Sequence, residues 1–167
     1  EYHQCARCAT SGNQLASIAA SKPPNSPNTM FINRRTTQLK ATQSLTAAAT
    51  LTANDSGKTF FLNLAGGFTV TLPAPTDGVE YEFIVGTAPT TAYIIANAAG
   101  SSGDQVIGYP IVSVAADQAA NGNAAGDQIN FVALTALPGD SVYLISDGTS
   151  WFAKCLAKAT GAITITG

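Results

Sequence analysis

The segment that decides the fold is residues 141–156, which read SVYLISDGTSWFAKCL. Two apolar runs flank Asp147-Gly148, and an Asp-Gly pair in this setting signals a β-hairpin whose two turn positions both need a positive φ. Trp151 follows the turn directly, so burial of its large ring would fix the register of the two strands. The segment therefore predicts an antiparallel pair of strands that starts its second strand with a buried tryptophan.

The same alternation, with a period of two, extends through the sequence from residue 45 onward. Leu45 opens an alternation of apolar and threonine-rich positions that continues to residue 52. Further runs of this kind occur at 58–64, 68–72, 80–85, 92–97, 105–108, 111–115, 128–134 and 162–166. Turn-forming residues separate them about every 8–12 residues. We therefore predict an all-β domain of roughly ten short strands, an antiparallel β-sandwich resembling a jelly roll.

Composition and charge exclude several classes of protein. Charged residues make up 11% of the 167 residues, against about 25% in typical soluble domains. No apolar run approaches the roughly 20 residues that cross a bilayer, so we expect no integral membrane protein. The single histidine, His3, lies far along the chain from most Asp and Ser residues, which argues against a serine triad. We expect neither an enzyme nor a cofactor.

The best pair of carboxylates is Glu80 and Glu82, which project from the same face of one predicted strand. Tyr81 and Phe83 would then face the core, so the two glutamates are predicted to mark the solvated face. A general acid–base pair is the alternative interpretation of the same spacing.

The first 44 residues differ from the rest in charge and in composition. Five basic residues against Glu1 give this segment a net charge of +4, whereas three lysines against nine carboxylates give residues 45–167 a net charge of −6. Three prolines within 23–27 are typical of a semi-rigid extended spacer. We predict an extended basic arm with a Pro-rich linker at 1–44, followed by the β-sandwich at 45–167.

A basic arm on an acidic body indicates that the arm lies against an acidic partner. Scattered charges that simply keep a tail soluble are the alternative. Nucleic acid is not expected, because only Arg34 and Arg35 are adjacent and no larger basic cluster develops. The candidate partner-binding residues are three basic ones and a short apolar run that could add to a sheet edge, namely Arg34, Arg35, Lys40, Met30, Phe31 and Ile32.

His3, Cys5 and Cys8 have a spacing that suits zinc, but a closed site needs a fourth ligand. Two reduced thiols, or a small loop joining them, are the alternative, and we predict no metal site. Cys155 alternates with Ala153 and Trp151, which predicts a buried core residue rather than a nucleophile. Asp147 lacks the repeated Asp spacing of a calcium loop, so it is interpreted as a turn residue.

Four segments resemble parts of tailed-bacteriophage virion proteins. They are TLTANDSGKTFFLN at 50–63, VTLPAP at 70–75, YEFIV at 81–85 and SDGTSW at 146–151. Similar segments follow one another in head decoration (cement) proteins and in some head- or tail-fibre domains. The resemblance covers residues 45–167, leaves out the arm, and marks strands and turns rather than catalytic positions. It implies a β-sandwich that assembles as a homotrimer on a phage shell.

We therefore expect a structural virion protein that decorates the capsid surface, binds the major capsid protein and stabilises neighbouring capsid subunits. The alternative is a fibre domain that binds a host-surface glycan or receptor, with an exposed aromatic side chain such as Tyr93 or Tyr109 stacking on sugars. A surface depolymerase is a third class, and the scarcity of acid–base groups argues against it.

Overall fold

Two β-sheets account for most of the computed structural model, which describes residues 39–98, 106–112 and 126–167. A short 3₁₀ turn at Ala53–Asp55 is the helical element of these residues. The strands are β1 Thr42–Leu45, β2 Ala49–Thr50, β3 Thr59–Leu62, β4 Thr69–Thr71, β5 Glu80–Val85, β6 Tyr93–Ala96, β7 Val106–Val112, β8 Gln128–Phe131, β9 Ser141–Ser146, β10 Trp151–Ala157 and β11 Ile163–Thr166. The prediction of an all-β fold is confirmed.

The strands form two mixed sheets that pack face to face around one apolar core. The six-stranded sheet has the order β1-β3-β5-β9-β10-β7, and the five-stranded sheet has the order β11-β8-β6-β4-β2. Apolar side chains alternate with more exposed ones along both sheets, as in β10 of the six-stranded sheet and β8 of the five-stranded sheet. A two-sheet sandwich is the arrangement that buries one face of each sheet.

The first six strands alternate between the two sheets, so the path of residues 42–96 winds around the core one turn after another. We call this series of strands the coil. In the six-stranded sheet Thr42 pairs with Thr59, and Thr59 pairs with Glu82. In the five-stranded sheet Ala49 pairs with Val70. All of these pairings are parallel, whereas the sequence analysis predicted antiparallel ones. The physical reason is that each short turn leads into the opposite sheet, which supplies the crossover that parallel neighbours need.

The hairpin predicted from the Asp-Gly pair is confirmed in β9 and β10, where Ser146 pairs with Trp151. Its turn differs from the predicted one. Gly148 has φ 89°, but Leu134 is the one non-glycine of the described residues with a positive φ, so Asp147 has none. Asp147 Oδ1 instead accepts hydrogen bonds from the amides of Thr149 and Ser150, at 2.8 Å each. A side chain therefore organises this turn in place of a second left-handed residue.

One predicted run is divided between two strands, and two others are joined in one strand. The run predicted from 45 to 52 is divided between β1 and β2, which lie in different sheets, and β1 begins at Thr42. Where the runs predicted at 105–108 and 111–115 fall within the described residues, they belong to the single strand β7, which lies at an edge of the six-stranded sheet. Residues 105 and 113–115 lie outside the described ones. Pro110 lies within β7, and an edge strand can accommodate its missing amide N–H.

The Trp151 side chain, at the start of β10, packs in the core against side chains of the coil. It is fully buried, and its ring centroid lies 5.5 Å from that of Tyr81 on β5. Phe60 and Phe83 stack beside this pair with centroids 5.4 Å apart. Cys155 is buried as predicted, and burial raises the pKa of its thiol to about 12. A thiol in this environment is protonated at neutral pH and is a poor nucleophile.

Candidate functional site

The described residues include only one of the predicted partner-binding and metal-ligating residues, Lys40. The others lie outside them, namely His3, Cys5, Cys8, Met30, Phe31, Ile32, Arg34 and Arg35. The candidate site is therefore built from Lys40 and from the surface on which it lies.

Lys40 is held on the outer face of the six-stranded sheet. Its Nζ lies 2.5 Å from Oε2 of Glu82, which also accepts a hydrogen bond from the Thr59 hydroxyl at 2.7 Å. The hydrogen bond from Lys40, followed by that from Thr59, lowers the pKa of Glu82 below its ordinary value. The two charged side chains are 48% and 30% exposed, so the pair is worth at most about 1 kcal/mol. Lys40 is thus bonded to the sandwich immediately before β1.

Glu80 and Glu82 do project from one face of β5, as predicted, while Tyr81 and Phe83 are buried on the other. Glu80 accepts a short hydrogen bond from the hydroxyl of Tyr143 on β9. That bond, with burial as a smaller cause, raises the pKa of Tyr143 to about 12. The two glutamates therefore have different partners and do not form an acid–base pair with each other.

The outer face of β9, β10 and β7 carries large apolar side chains where a solvated face would carry polar ones. Ile145, Phe152, Leu156 and Ile111 are 39%, 41%, 54% and 48% exposed. The register places them together, because Phe152 pairs with Ile145 on one side and Leu156 pairs with Ile111 on the other. We call these four residues the apolar face.

A polar row crosses the same surface. Tyr143 on β9 pairs with Glu82 on β5 and with Lys154 on β10. The row therefore runs from an acidic side chain through a tyrosine to a basic one, in three neighbouring strands. Tyr143 and Lys154, together with Ile145, Phe152 and Ile111 of the apolar face, line a shallow groove of about 710 Å³.

The outer face of the five-stranded sheet is different in character. There the amides of Gln128 and Asn130 both donate to the Thr166 hydroxyl, at 3.1 Å and 2.9 Å. Thr69 and Thr71 occupy the outward positions of β4. Among the described surfaces, the six-stranded sheet is thus the one whose outer face joins an apolar cluster to charged groups.

Sequence reasoning missed the apolar face, although a signal for it was present. Residues 142–145 read VYLI, so both faces of β9 carry large side chains. In β10, Phe152 and Leu156 alternate with Trp151 and Cys155, and again both faces are largely apolar. In an antiparallel pair, a strand with large apolar side chains on both faces is the sequence signal of an apolar outer face.

The expectation that Tyr93 could stack on a sugar is wrong. Tyr93 is fully buried, and its hydroxyl donates to the carbonyl of Thr87 at 2.9 Å and accepts from the amide of Leu64 at 3.0 Å. The reason is that its position on β6 faces the core, where it packs edge-on against Phe68. The side chain of Tyr109 lies outside the described ones.

The described ranges contain no group of three or more His, Cys, Asp or Glu side chains placed to hold a metal ion. They also contain no helix long and apolar enough to span a bilayer. Comparison of the chain with protein families and with curated proteins gave no match.

Proposed function

We propose that the protein is a structural virion protein that decorates the outside of a phage capsid. In this proposal the basic segment before Lys40 contacts the major capsid protein, and the β-sandwich associates with itself as a homotrimer. The protein then stabilises neighbouring capsid subunits by spanning them, without catalysing a reaction.

The positions of the resembling segments support the proposal. Residues 50–63 run from β2 through the 3₁₀ turn into β3, and residues 81–85 lie in β5. Residues 146–151 form the turn of the β9–β10 hairpin. These segments supply Phe60, Tyr81 and Trp151 to the core. The resembling segments are therefore the ones that build the sandwich. Our assignment to virion proteins rests on this resemblance.

The main support for a contact with the capsid is the difference in net charge between the N-terminal segment and the sandwich. Residues 1–39 carry four basic residues against Glu1, a net of +3, whereas residues 40–167 carry four lysines against nine carboxylates, a net of −5. Lys40 is already paired with Glu82. Arg34 and Arg35, beside the apolar run of Met30, Phe31 and Ile32, therefore remain the residues assigned to the partner. Opposite charge on the partner would speed association and make it weaken with salt.

Fractionation of purified virions into heads and tails tests the proposal. We expect the protein with the heads, and we expect the full-length variant R34Q/R35Q to bind capsids more weakly and with a shallower dependence on salt. Lys22→Gln, which removes a charge near the prolines, is the matched control. Recovery with the tails, or strong saturable binding on a glycan array, would instead assign the protein to the fibre class.

A further inference from the structure

We propose that three copies of the chain associate through the end of the sandwich that carries Leu64, Leu134 and Leu137. We call this surface the leucine end. The inference deepens the homotrimer part of the proposed function and rests on that part, but it does not depend on capsid binding.

Five connections between strands meet at the leucine end, among the described residues. β1, β3 and β5 run parallel and end there, and β9 begins there, because Ser141 pairs with Ile84 near the end of β5. The connections are residues 46–48, 63–68, 86–92, 132–140 and 158–162. Leu64 lies in the second of them, and Leu134 and Leu137 lie in the fourth.

Hydrogen bonds join the connections that carry the leucines. The amide of Thr90 donates to the carbonyl of Ala65 at 2.6 Å, and the amide of Leu134 donates to the carbonyl of Pro89 at 2.8 Å. The connection 86–92 is therefore bonded to the turn that follows Leu64 on one side and to Leu134 on the other. The three leucines thus belong to one surface.

The leucine side chains are exposed although the backbone that carries them is held in place. Leu64, Leu134 and Leu137 are 39%, 82% and 41% exposed. The amide of Leu64 donates to the hydroxyl of buried Tyr93 at 3.0 Å, and the amide of Leu137 donates to Oδ2 of buried Asp140 at 2.8 Å. A surface held in this way loses little conformational freedom when a partner binds, which favours association.

Leu134 has a backbone conformation that leucine rarely adopts. Its φ is 62°, in the left-handed region, which glycine and asparagine tolerate and a bulky side chain does not. Strain of this kind persists only where the surrounding structure enforces it, and it is common at functional sites. A leucine that is both strained and exposed does not stabilise the isolated fold, so we assign it to a contact with another chain.

The charges at the two ends of the sandwich argue that the other chain is a further copy. Among the described residues of the five connections, the charged side chains are Asp140, which is buried, and Lys158, whose Nζ donates to the carbonyl of Pro138. The opposite end carries three exposed carboxylates, Asp77, Asp127 and Asp147.

A ring of three copies needs a surface of low charge beside its axis. Residues close to the axis of such a ring face their own equivalents in the other two copies. Carboxylates in that position repel one another, whereas leucines are complementary to themselves. An acidic partner, as proposed for the basic segment before Lys40, would instead favour several cations, and the described part of the leucine end has one lysine.

The other described surfaces suit a three-fold contact less well. The polar row of Tyr143 and Lys154 divides the apolar face into two separate pairs, and an axis there would bring the lysines of three copies together. The outer face of the five-stranded sheet carries hydrogen-bonded amides, those of Gln128 and Asn130. Among the described surfaces, the leucine end is therefore the one that combines exposed leucines with a near absence of charge.

Light scattering of the full-length protein over a range of concentrations measures its mass in solution. We expect the wild type to reach the mass of three chains. Leu134→Asn should weaken association about tenfold or more, because it removes an exposed apolar side chain from every copy in the ring. Asparagine is tolerated in the left-handed conformation, so the unfolding midpoint of this variant in dilute solution should not fall. Leu156→Thr, at a leucine that is 54% exposed on the apolar face, is the matched control and should leave association unchanged.

A charge variant tests whether equivalent residues of this end face one another. Ala88 is exposed in the connection 86–92, and Ala88→Asp would bring three carboxylates together in the trimer. Association should weaken about tenfold or more at low salt and recover in part as added salt screens the repulsion. Ala88→Asn introduces a side chain of nearly the same size without charge, and it should associate as the wild type does. Melting curves verify that each variant is folded.

A wild type that stays monomeric at every concentration would overturn the inference together with the homotrimer, while recovery with virion heads would leave the capsid contact standing. Unchanged association of Leu134→Asn or of Ala88→Asp would overturn the assignment of the leucine end alone, as would equal weakening by Leu156→Thr. Normal trimers of Leu134→Asn and Ala88→Asp that no longer bind capsids would also overturn it, and would assign the leucine end to the capsid.

Discussion

The coil of residues 42–96 and the β9–β10 hairpin use the same kinds of turn residue but build their sheets in opposite ways. In the hairpin, Asp147-Gly148 joins two strands that pair with each other, Ser146 with Trp151. In the coil, Asn54 and Gly57 join β2 to β3, which lie in different sheets. A turn signal therefore marks where the chain reverses, but it does not determine which strand becomes the neighbour.

The two regions also place their pairing partners at different distances along the chain. Hairpin partners are close in sequence, whereas Thr42 pairs with Thr59 and Thr59 pairs with Glu82 only after the chain has visited the other sheet. Contacts of large sequence separation cost more loop-closure entropy. The pairing that joins the two regions, Glu80 on β5 with Ile145 on β9, spans a still larger separation.

The largest expected loss of stability comes from removing the Trp151 ring, which packs between the hairpin and the coil. Trp151→Ala removes a fully buried side chain that packs against Tyr81, and we expect a loss of about 3–5 kcal/mol of unfolding free energy. Trp151→Phe should cost less, because Trp151 Nε1 is buried without a hydrogen-bond partner among the described residues. Denaturant unfolding measures both. A loss for Trp151→Ala no larger than that for the exposed Thr50→Ala would contradict the role of this ring.

The next prediction tests the coil alone, through two of its glycines. Gly67 has φ 66°, and an added Cβ would lie 2.1 Å from the Thr91 carbonyl oxygen. Gly57 has φ 81°, but an added Cβ would meet nothing within 4 Å. Gly57→Ala should cost about 1–2 kcal/mol from backbone strain, and Gly67→Ala about 2–5 kcal/mol because close packing adds to the strain. Equal melting temperatures for the two variants would show that the coil is not tightly packed at Gly67.

A third prediction concerns the loop before β9, which attaches the hairpin to the end of the coil. Asp140 is buried, and its two carboxylate oxygens accept hydrogen bonds from the amides of Leu137 and Lys158, at 2.8 Å and 2.9 Å. Its carbonyl accepts from the amide of Val85 at 2.9 Å. Asp140→Ala removes the carboxylate that accepts both of these amide hydrogen bonds, and it should cost about 2–4 kcal/mol. Asp140→Asn retains one acceptor oxygen and should cost about half as much; an equal cost for the two would show that only one of the bonds matters.

The contrast between the regions also explains how much the sequence could predict. The alternation of apolar residues and the Asp-Gly turn predict an all-β sandwich and the hairpin, because both depend on residues close together in the chain. The parallel pairings of the coil follow from which sheet each strand enters, and an alternation with a period of two is the same in either case. Similarly, the bond between Lys40 and Glu82 joins residues 42 positions apart, and no local pattern indicates it.

The smallest expected effect is the pH dependence of that bond, which fastens the start of β1 to the coil. The pKa of Glu82 is lowered in the folded protein, so its ionised form stabilises the fold at neutral pH. The contribution is present above the ordinary carboxyl pKa near 4.5, and it is lost as the pH falls through the lower, folded value. The wild type should therefore lose slightly more stability than Glu82→Gln on acidification below about pH 5, by less than about 1 kcal/mol.

Lys40→Met is the matched variant for this measurement, because it keeps the aliphatic stem and removes the charge beside Glu82. Its unfolding free energy should change with pH less steeply than that of the wild type, since the pKa of Glu82 moves back towards its ordinary value. Residual steepness is expected from the Thr59 hydroxyl, which still donates to Glu82 at 2.7 Å. Identical acid profiles for the wild type, Glu82→Gln and Lys40→Met would mean that the start of β1 is held by its backbone pairing with β3 alone, as Thr42 with Thr59.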